Sequence, residues 1–144
     1  VVYGNAEVYG DAEVYGDAEV YGNAEVCGNA KVYGNAKVWD YAKVCGDAVV
    51  YGDAEVYGNA EVCGNAEVCG DAEVTQIVKT FGNAFCYAIT VTDKHIKIGC
   101  QQRLKSEWLD FQEGEIIEMD RKRALKFWRI FKPIAEQLGL FEEI

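Results

Sequence analysis

The sequence contains one histidine, one proline and one methionine in 144 residues. A lone histidine, His95, excludes any metal centre built on three imidazoles. No Cys-x-x-Cys pair occurs among the six cysteines, which removes the usual spacings of zinc sites and dithiol oxidoreductases. No run of 18 apolar residues is present, so no membrane-spanning helix is expected. Positive charge is scarce: 14 Lys and Arg stand against 24 Asp and Glu, a net charge of -10. That balance argues against direct binding to nucleic acid or to a membrane surface. Apolar residues nevertheless make up 50% of the chain, too many for a disordered acidic tail. The sequence opens Val1-Val2-Tyr3 without a basic and then apolar leader pattern. The cysteines are therefore expected to be free thiols in a reducing, cytoplasmic compartment.

What is abundant is repetition. Valine recurs at every sixth position from Val2 to Val74, and alanine follows each valine four places later, from Ala6 to Ala72. Val78 and Ala84 continue the column. Glycine and then Asn or Asp occupy most of the positions between, so the unit reads V-Y-G-[ND]-A-[EK]. A period of six smears apolar residues around an α-helix. Within the unit, Ala-Glu-Val-Tyr alternates inward and outward, which predicts a four-residue strand closed by a two-residue corner. Gly and Asn/Asp tolerate the left-handed backbone that such a corner needs. Strands this short, buried on one side, must coil and stack.

On these residues the sequence resembles the left-handed parallel β-helix of hexapeptide-repeat proteins, in which an aliphatic and a small residue point inward four places apart. The pairs Val2/Ala6 and Val8/Ala12 carry the resemblance, as do their successors. It implies three hexads per coil and a little over four coils, with residues 18 apart stacked about 4.8 Å from one another. The expected class is mainly β: a solenoid over residues 1–85, then a C-terminal hairpin and amphipathic α-helical cap over 86–144.

An interval of 18 sorts the outward aromatic position into three columns. Tyr3, Tyr21, Trp39 and Tyr57 form one; Tyr15, Tyr33, Tyr51 and Cys69 the second; Tyr9, Cys27, Cys45, Cys63 and Phe81 the third. Stacking along a sheet explains rows of tyrosine without any further function. The same rows also offer a contact surface. A linear column of Cys27, Cys45 and Cys63 does not converge on a point, so it suits neither zinc nor another soft metal. Small side chains there make one face shallow enough for something to pack on it. The hexad Val38-Trp39-Asp40-Tyr41 breaks the rule, with Asp in the glycine position and Tyr in the Asn/Asp position. It is either a decayed repeat or a recognition spot on Trp39, Asp40 and Tyr41. Residues 1–79 hold 14 acidic and 4 basic side chains, whereas residues 80–144 hold 10 of each. The carboxylates line the solenoid in rows, with Glu13, Glu19 and Glu67 chosen as candidate contacts.

Beyond Thr80 the hexads decay. Residues 85–92 and 95–98 read as two strands about an Asp93-Lys94 turn, ended by Gly99. Ser106 is expected to cap a short helical turn. A helix is expected from about Glu115 to Leu138, kinked or restarted at Pro133 and stopped at Gly139. Its apolar stripe includes Ala124, Phe127, Trp128, Phe131, Ile134, Ala135 and Leu138, opposite a basic face of Arg121, Lys122, Arg123, Lys126, Arg129 and Lys132. The stripe covers the last coil, packs along a solenoid face, or pairs with its twin in a second copy. Phe127, Trp128 and Phe131, with Cys27, Cys45 and Cys63, are therefore the candidates for self-association.

Many hexapeptide-repeat proteins are acyltransferases that use acyl-coenzyme A and a catalytic histidine on a loop or at a subunit boundary. Here no loop interrupts the repeats, and His95 lies near the hairpin tip. No nucleophile elbow, phosphate loop or zinc spacing appears. The expectation is therefore no catalytic residue, no cofactor and no metal. The arrangement also resembles uncharacterised proteins of bacteria and their phages with V-Y-G-[ND]-A repeats before a strand-and-helix tail. The tail motifs are Ile98-Gly99-Cys100-Gln101, Glu107-Trp108 and Phe127-Trp128. The leading expectation is a non-catalytic, acidic, self-associating binding or scaffold protein in the cytosol of a bacterium or infected host. One alternative is a phage-type inhibitor that offers a DNA-mimic-like acidic surface to a basic, nucleic-acid-binding host protein. The other is a degenerate acyltransferase.

Overall fold

Valine and alanine bury little surface singly, so a hexad gains stability only by lying on another hexad. The computed structural model describes residues 1–82, 89–99, 101–111 and 113–142. Its first part is a parallel β-solenoid of about four turns with three faces. The first face stacks β1 (Glu7–Val8), β4 (Glu25–Val26), β7 (Lys43–Val44) and β10 (Glu61–Val62). The second stacks β2 (Glu13–Val14), β5 (Lys31–Val32), β8 (Val49–Val50) and β11 (Glu67–Val68). The third stacks β3 (Glu19–Val20), β6 (Lys37–Val38), β9 (Glu55–Val56) and β12 (Glu73–Val74). Val8 pairs with Val26, Val26 with Val44 and Val44 with Val62, so one coil is three hexads.

The regular ladders are shorter than the four residues expected, two per strand. Hydrogen bonding nevertheless continues round the corners. The Asn5, Asp11 and Asn23 N–H groups donate to the carbonyls of Gly22, Gly28 and Asp40, each at 2.8 Å. Corners are stacked as tightly as strands: at Gly28, φ is +69° and an added Cβ would lie 3.0 Å from Gly46 N and 3.1 Å from its O. Glycine is needed there both for the left-handed φ and for the close backbone approach. Every inward Val and Ala from Ala18 to Val74 is fully buried; in the first coil Ala6, Val8, Ala12 and Val14 are partly buried and Val2 is exposed. Each such valine contributes about 1.5–3 kcal/mol on full burial.

The C-terminal part is an antiparallel sheet in the order β13 (Lys79–Gly82), β14 (Ile89–Val91), β15 (His95–Ile98), β16 (Gln101–Leu104). The two expected strands are thus joined by β16, which continues past Gly99. Residues 83–88, which include the expected boundary at 85/86 and the start of the first expected strand, lie outside the described residues. α1 (Lys105–Asp110) starts one residue before Ser106, and its N-cap residue is Leu104 with no side-chain cap bond. The expected Ser106 cap is therefore corrected; the Lys105 N–H is instead held by the Lys94 carbonyl at 2.8 Å. α2 (Glu113–Gln137) runs through Pro133 without restarting. Phe131 and Ala135, on either side of that proline, are both fully buried and hold the two halves to one core. Gly139, with φ +69°, ends the helix: its N–H donates to the Glu136 carbonyl and the Leu140 N–H to the Ala135 carbonyl.

Alternation gives this sheet two different faces. Ile89, Val91, Ile96 and Ile98 point one way and join Trp108, Phe127, Trp128, Phe131 and Phe141 in a second apolar core. Thr90, Lys97 and Gln102, register partners across three strands, point the other way, onto the end of the solenoid. Ala124, Phe127, Trp128, Phe131 and Ala135 of the stripe therefore cover their own sheet, and the sheet covers the last coil, whereas Ile134 and Leu138, expected in the same stripe, are exposed. This corrects the expectation that the stripe itself packs on the solenoid.

Candidate binding surfaces and the junction between solenoid and cap

Tyr3, Tyr21, Trp39 and Tyr57 are brought together on the third face as one stack, with ring centroids 5.0, 5.7 and 4.6 Å apart and nearly parallel planes. Tyr15, Tyr33 and Tyr51 form a second stack on the second face. Rings stacked on both sides present edges and hydroxyls outward, a polar rim over an aromatic spine. Burial and neighbouring carboxylates such as Glu19 and Glu55 push the phenols of Tyr21 and Tyr57 up from their ordinary value. The Tyr3 hydroxyl donates to Glu19 at 2.9 Å, and its pKa is likewise raised.

Asp40 has a structural task in the exceptional hexad. It takes φ +58°, close to the glycines it replaces, and its carboxylate accepts the Gly58 N–H of the next coil at 3.2 Å. Aspartate is among the few residues that tolerate this conformation. Tyr41, at the same corner, is 69% exposed. Trp39 is held inside the aromatic stack, so of these three residues Tyr41 projects furthest from the solenoid.

The three candidate carboxylates do not form one patch. Glu13 and Glu67 lie in the same column of the second face, and Glu19 lies on the third. Each is engaged: Glu13 with Lys31 at 4.0 Å, Glu19 with Tyr3, and Glu67 with the Lys97 ammonium. Lys31, Lys37 and Lys43 occupy three successive hexads, so they form one basic belt around the solenoid. Coils on either side of the belt keep like-charged rungs, Glu7 beside Glu25 and Glu55 beside Glu73.

The cysteine column is stacked as the spacing predicts, but the expectation of six free thiols is corrected. Cys45 and Cys63 are joined by a disulfide, their Cα atoms 4.7 Å apart. A coil step falls within the distance a disulfide can bridge. Cys27 and Cys69 are free and buried; Cys86 and Cys100 lie outside the described residues. Phe127, Trp128 and Phe131, the other self-association candidates, are buried in the second core of their own chain. Ile130 and Ile134 of α2 and Leu138 just beyond it are exposed instead.

Sequence reasoning missed the junction. The open edge of the last coil leaves backbone groups without a next strand. Cap side chains take that strand's place. Thr90 Oγ1 accepts the Glu67 N–H at 3.2 Å; Asp93 accepts the Thr75 N–H at 3.1 Å and its hydroxyl at 2.5 Å. Gln102 Nε2 donates to the Cys69 carbonyl at 2.8 Å. Lys97 is 8% exposed and donates to Tyr51 Oη at 3.1 Å and to Glu67. Burial opposes its charge, but the hydrogen bonds to Glu67 and Tyr51 outweigh it, so its pKa is raised. Alternation of Thr90 and Lys97 with apolar neighbours was the available signal, visible once the strands were paired.

His95 sits at this junction, half-buried, with Nε2 3.8 Å from an Asp71 carboxylate oxygen. It lines a cleft of about 490 Å³ with Asp71, Glu73, Lys94, Arg103 and Glu107. The lining carries both signs of charge, and Arg103 is turned onto the Phe111 ring and toward Glu107. No group of three or more His, Cys, Asp or Glu able to hold a metal occurs among the described residues. No described helix is long and apolar enough to cross a membrane.

Fold and surfaces together define a parallel β-solenoid closed at its C-terminal end by an α/β cap. No protein-family model, curated protein or solved structure matches the chain.

Proposed function

We propose that the protein is a non-catalytic binding scaffold whose acidic solenoid presents a rigid surface to a basic protein partner and which self-associates through its cap. The observation that carries this reading is the like-charged rungs. Glu7 beside Glu25 and Glu55 beside Glu73 are direct register neighbours, which weakens the ladder holding them. A basic partner relieves that repulsion on binding, so the feature is intelligible as a contact surface and not as a stability device. The three-hexad coil with Val and Ala inward supports the resemblance to left-handed hexapeptide solenoids, and the regular spacing of its rungs makes the charge pattern a fixed ruler. The exposed row Ile130, Ile134 and Leu138 supports self-association by the outer side of α2.

The test is affinity capture of basic proteins from a bacterial lysate at low and high salt, on the wild type and on Glu55→Gln/Glu61→Gln/Glu73→Gln. Capture that weakens steeply above about 0.1 M salt, and is lost in the triple variant, supports the reading. Equal capture by both proteins at all salt concentrations sinks it.

A further inference from the structure

The third aromatic-position column carries more thiols than its disulfide uses. Cys27, Cys45 and Cys63 lie on three successive rungs of the first face. Their backbone placements repeat: the Cys27 N–H donates to the Val44 carbonyl and the Cys45 N–H to the Val62 carbonyl, both at 2.9 Å. Cys45 is thus related to Cys27 as Cys63 is to Cys45. Only the second relation is bridged.

We propose that the column is a thiol–disulfide exchange site in which one disulfide is shared between two adjacent positions, Cys45–Cys63 and Cys27–Cys45. Exchange requires a thiolate to approach a disulfide sulfur opposite the leaving sulfur, so that three sulfurs lie nearly in line. Stacking on three successive rungs places Cys45 between Cys27 and Cys63, so Cys27 approaches from the side opposite the leaving sulfur. The Cys27 thiolate attacks Cys45 Sγ; the Cys27–Cys45 bond forms as the Cys45–Cys63 bond breaks. Cys63 leaves as a thiolate and takes up the proton that Cys27 released. No electron is gained or lost, so no outside oxidant is consumed. Because both positions have the same backbone register, neither bridge requires the coil to be rebuilt.

The neighbour above Cys27 in the column fits this role. The Tyr9 hydroxyl donates to Glu25 Oε2 at 3.3 Å, one rung from Cys27 in the same column. The neighbouring Cys27, followed by burial and then Glu25, pushes the Tyr9 phenol up to about 12, so its hydroxyl stays neutral beside the column across the range in which exchange runs. Cys45 and Cys63 are half-buried, and Cys27 is 8% exposed. A small thiol or disulfide can therefore reach the bridge, while Cys27 is better shielded than either bridged partner.

The full chain tests this directly. Oxidised protein is held at pH 8, alkylated with N-ethylmaleimide and digested with trypsin and a glutamate-specific protease without reduction. Cleavage after Glu25, Lys31, Lys43, Glu55, Glu61 and Glu67 places the three cysteines on separate peptides. The expected result is both bridged pairs, with neither less than about a tenth of the other, and alkylation divided between Cys27 and Cys63. Cys63→Ser should bridge Cys27 to Cys45, and Cys45→Ser should leave Cys27 and Cys63 unbridged, because they stand two rungs apart. Circular dichroism of each variant establishes that the solenoid is intact. Alkylation confined to Cys27 in the wild type overturns the proposal. So does a folded Cys63→Ser chain without a bridge, or a Cys27–Cys63 bridge in Cys45→Ser.

Discussion

Asp40 offers the sharpest test of how the solenoid turns its corners. It is the one described residue other than glycine with a positive φ, at +58°. Its carboxylate accepts the Gly58 N–H at 3.2 Å. Asp40→Ala keeps the left-handed backbone, which costs an ordinary L-residue about 1–2 kcal/mol, and removes a hydrogen bond worth about 0.5–1.5 kcal/mol net. Aspartate already bears part of the strain, so the expected loss is about 1–3 kcal/mol. At about 2–4 °C per kcal/mol for a chain of this size, the melting temperature should fall by about 2–12 °C. Asp40→Gly relieves the strain while losing the bond; the two terms oppose, and the net should lie within about 1 kcal/mol of wild type. Asp40→Asn keeps both an acceptor and tolerance of the conformation, and should melt close to wild type. Thermal and urea unfolding followed by circular dichroism would rank the four proteins. If Asp40→Ala were as stable as Asp40→Gly, strain would not govern the corner; if it were as stable as wild type, neither strain nor the side-chain bond would.

Asp93→Ala removes both bonds to Thr75 at the junction, a loss of about 1–3 kcal/mol for a buried polar contact. Hydrogen exchange should accelerate at Glu67 and Thr75 while Val26 and Val44 stay protected; uniform acceleration would mean the cap does not close the last coil locally. The phenols of Tyr3, Tyr9, Tyr21, Tyr33, Tyr51 and Tyr57 all lie above the ordinary value of 10.0, Tyr9 at about 12. Folding therefore favours their neutral form: this contribution is complete below pH 10 and is lost as pH rises toward 12. Absorbance titration of tyrosinate should lag that of the urea-unfolded chain, and alkaline unfolding should set in over the same range. Coincident titration of folded and unfolded chains would contradict it. Ile130→Glu with Ile134→Lys should abolish any dimer detected by light scattering without lowering the melting temperature, because both residues are exposed. A dimer that survives would place self-association elsewhere.

Much of the architecture follows from spacing. Val and Ala four places apart on a six-residue repeat permit only one inward face, and an 18-residue coil then aligns Tyr3 with Tyr21 and Cys45 with Cys63. Such contacts are legible because the repeat converts distance in sequence into distance in space. The exceptional Asp40 was legible as an exception, but its bond to Gly58 required the neighbouring coil.

The cap follows a different logic. Phe127, Trp128 and Phe131 were visible as an apolar stripe, yet a stripe does not say what it covers; Ile89, Val91, Ile96 and Ile98 of the same chain do so here. β16 has two polar glutamines at its start and little alternation of its own, so only pairing with β15 revealed it. Thr90, Asp93, Lys97 and Gln102 become a docking set because they meet an open solenoid edge some 18 to 33 residues away in sequence. The repeat by itself determined the short strand, its corner and its inward residues, since Val and Ala four places apart leave one side to bury, while the three-hexad coil and its columns were implied by the resemblance to hexapeptide solenoids. Tertiary structure alone decided how the coil ends, because backbone groups with no next coil must be satisfied by whatever the rest of the chain brings to them.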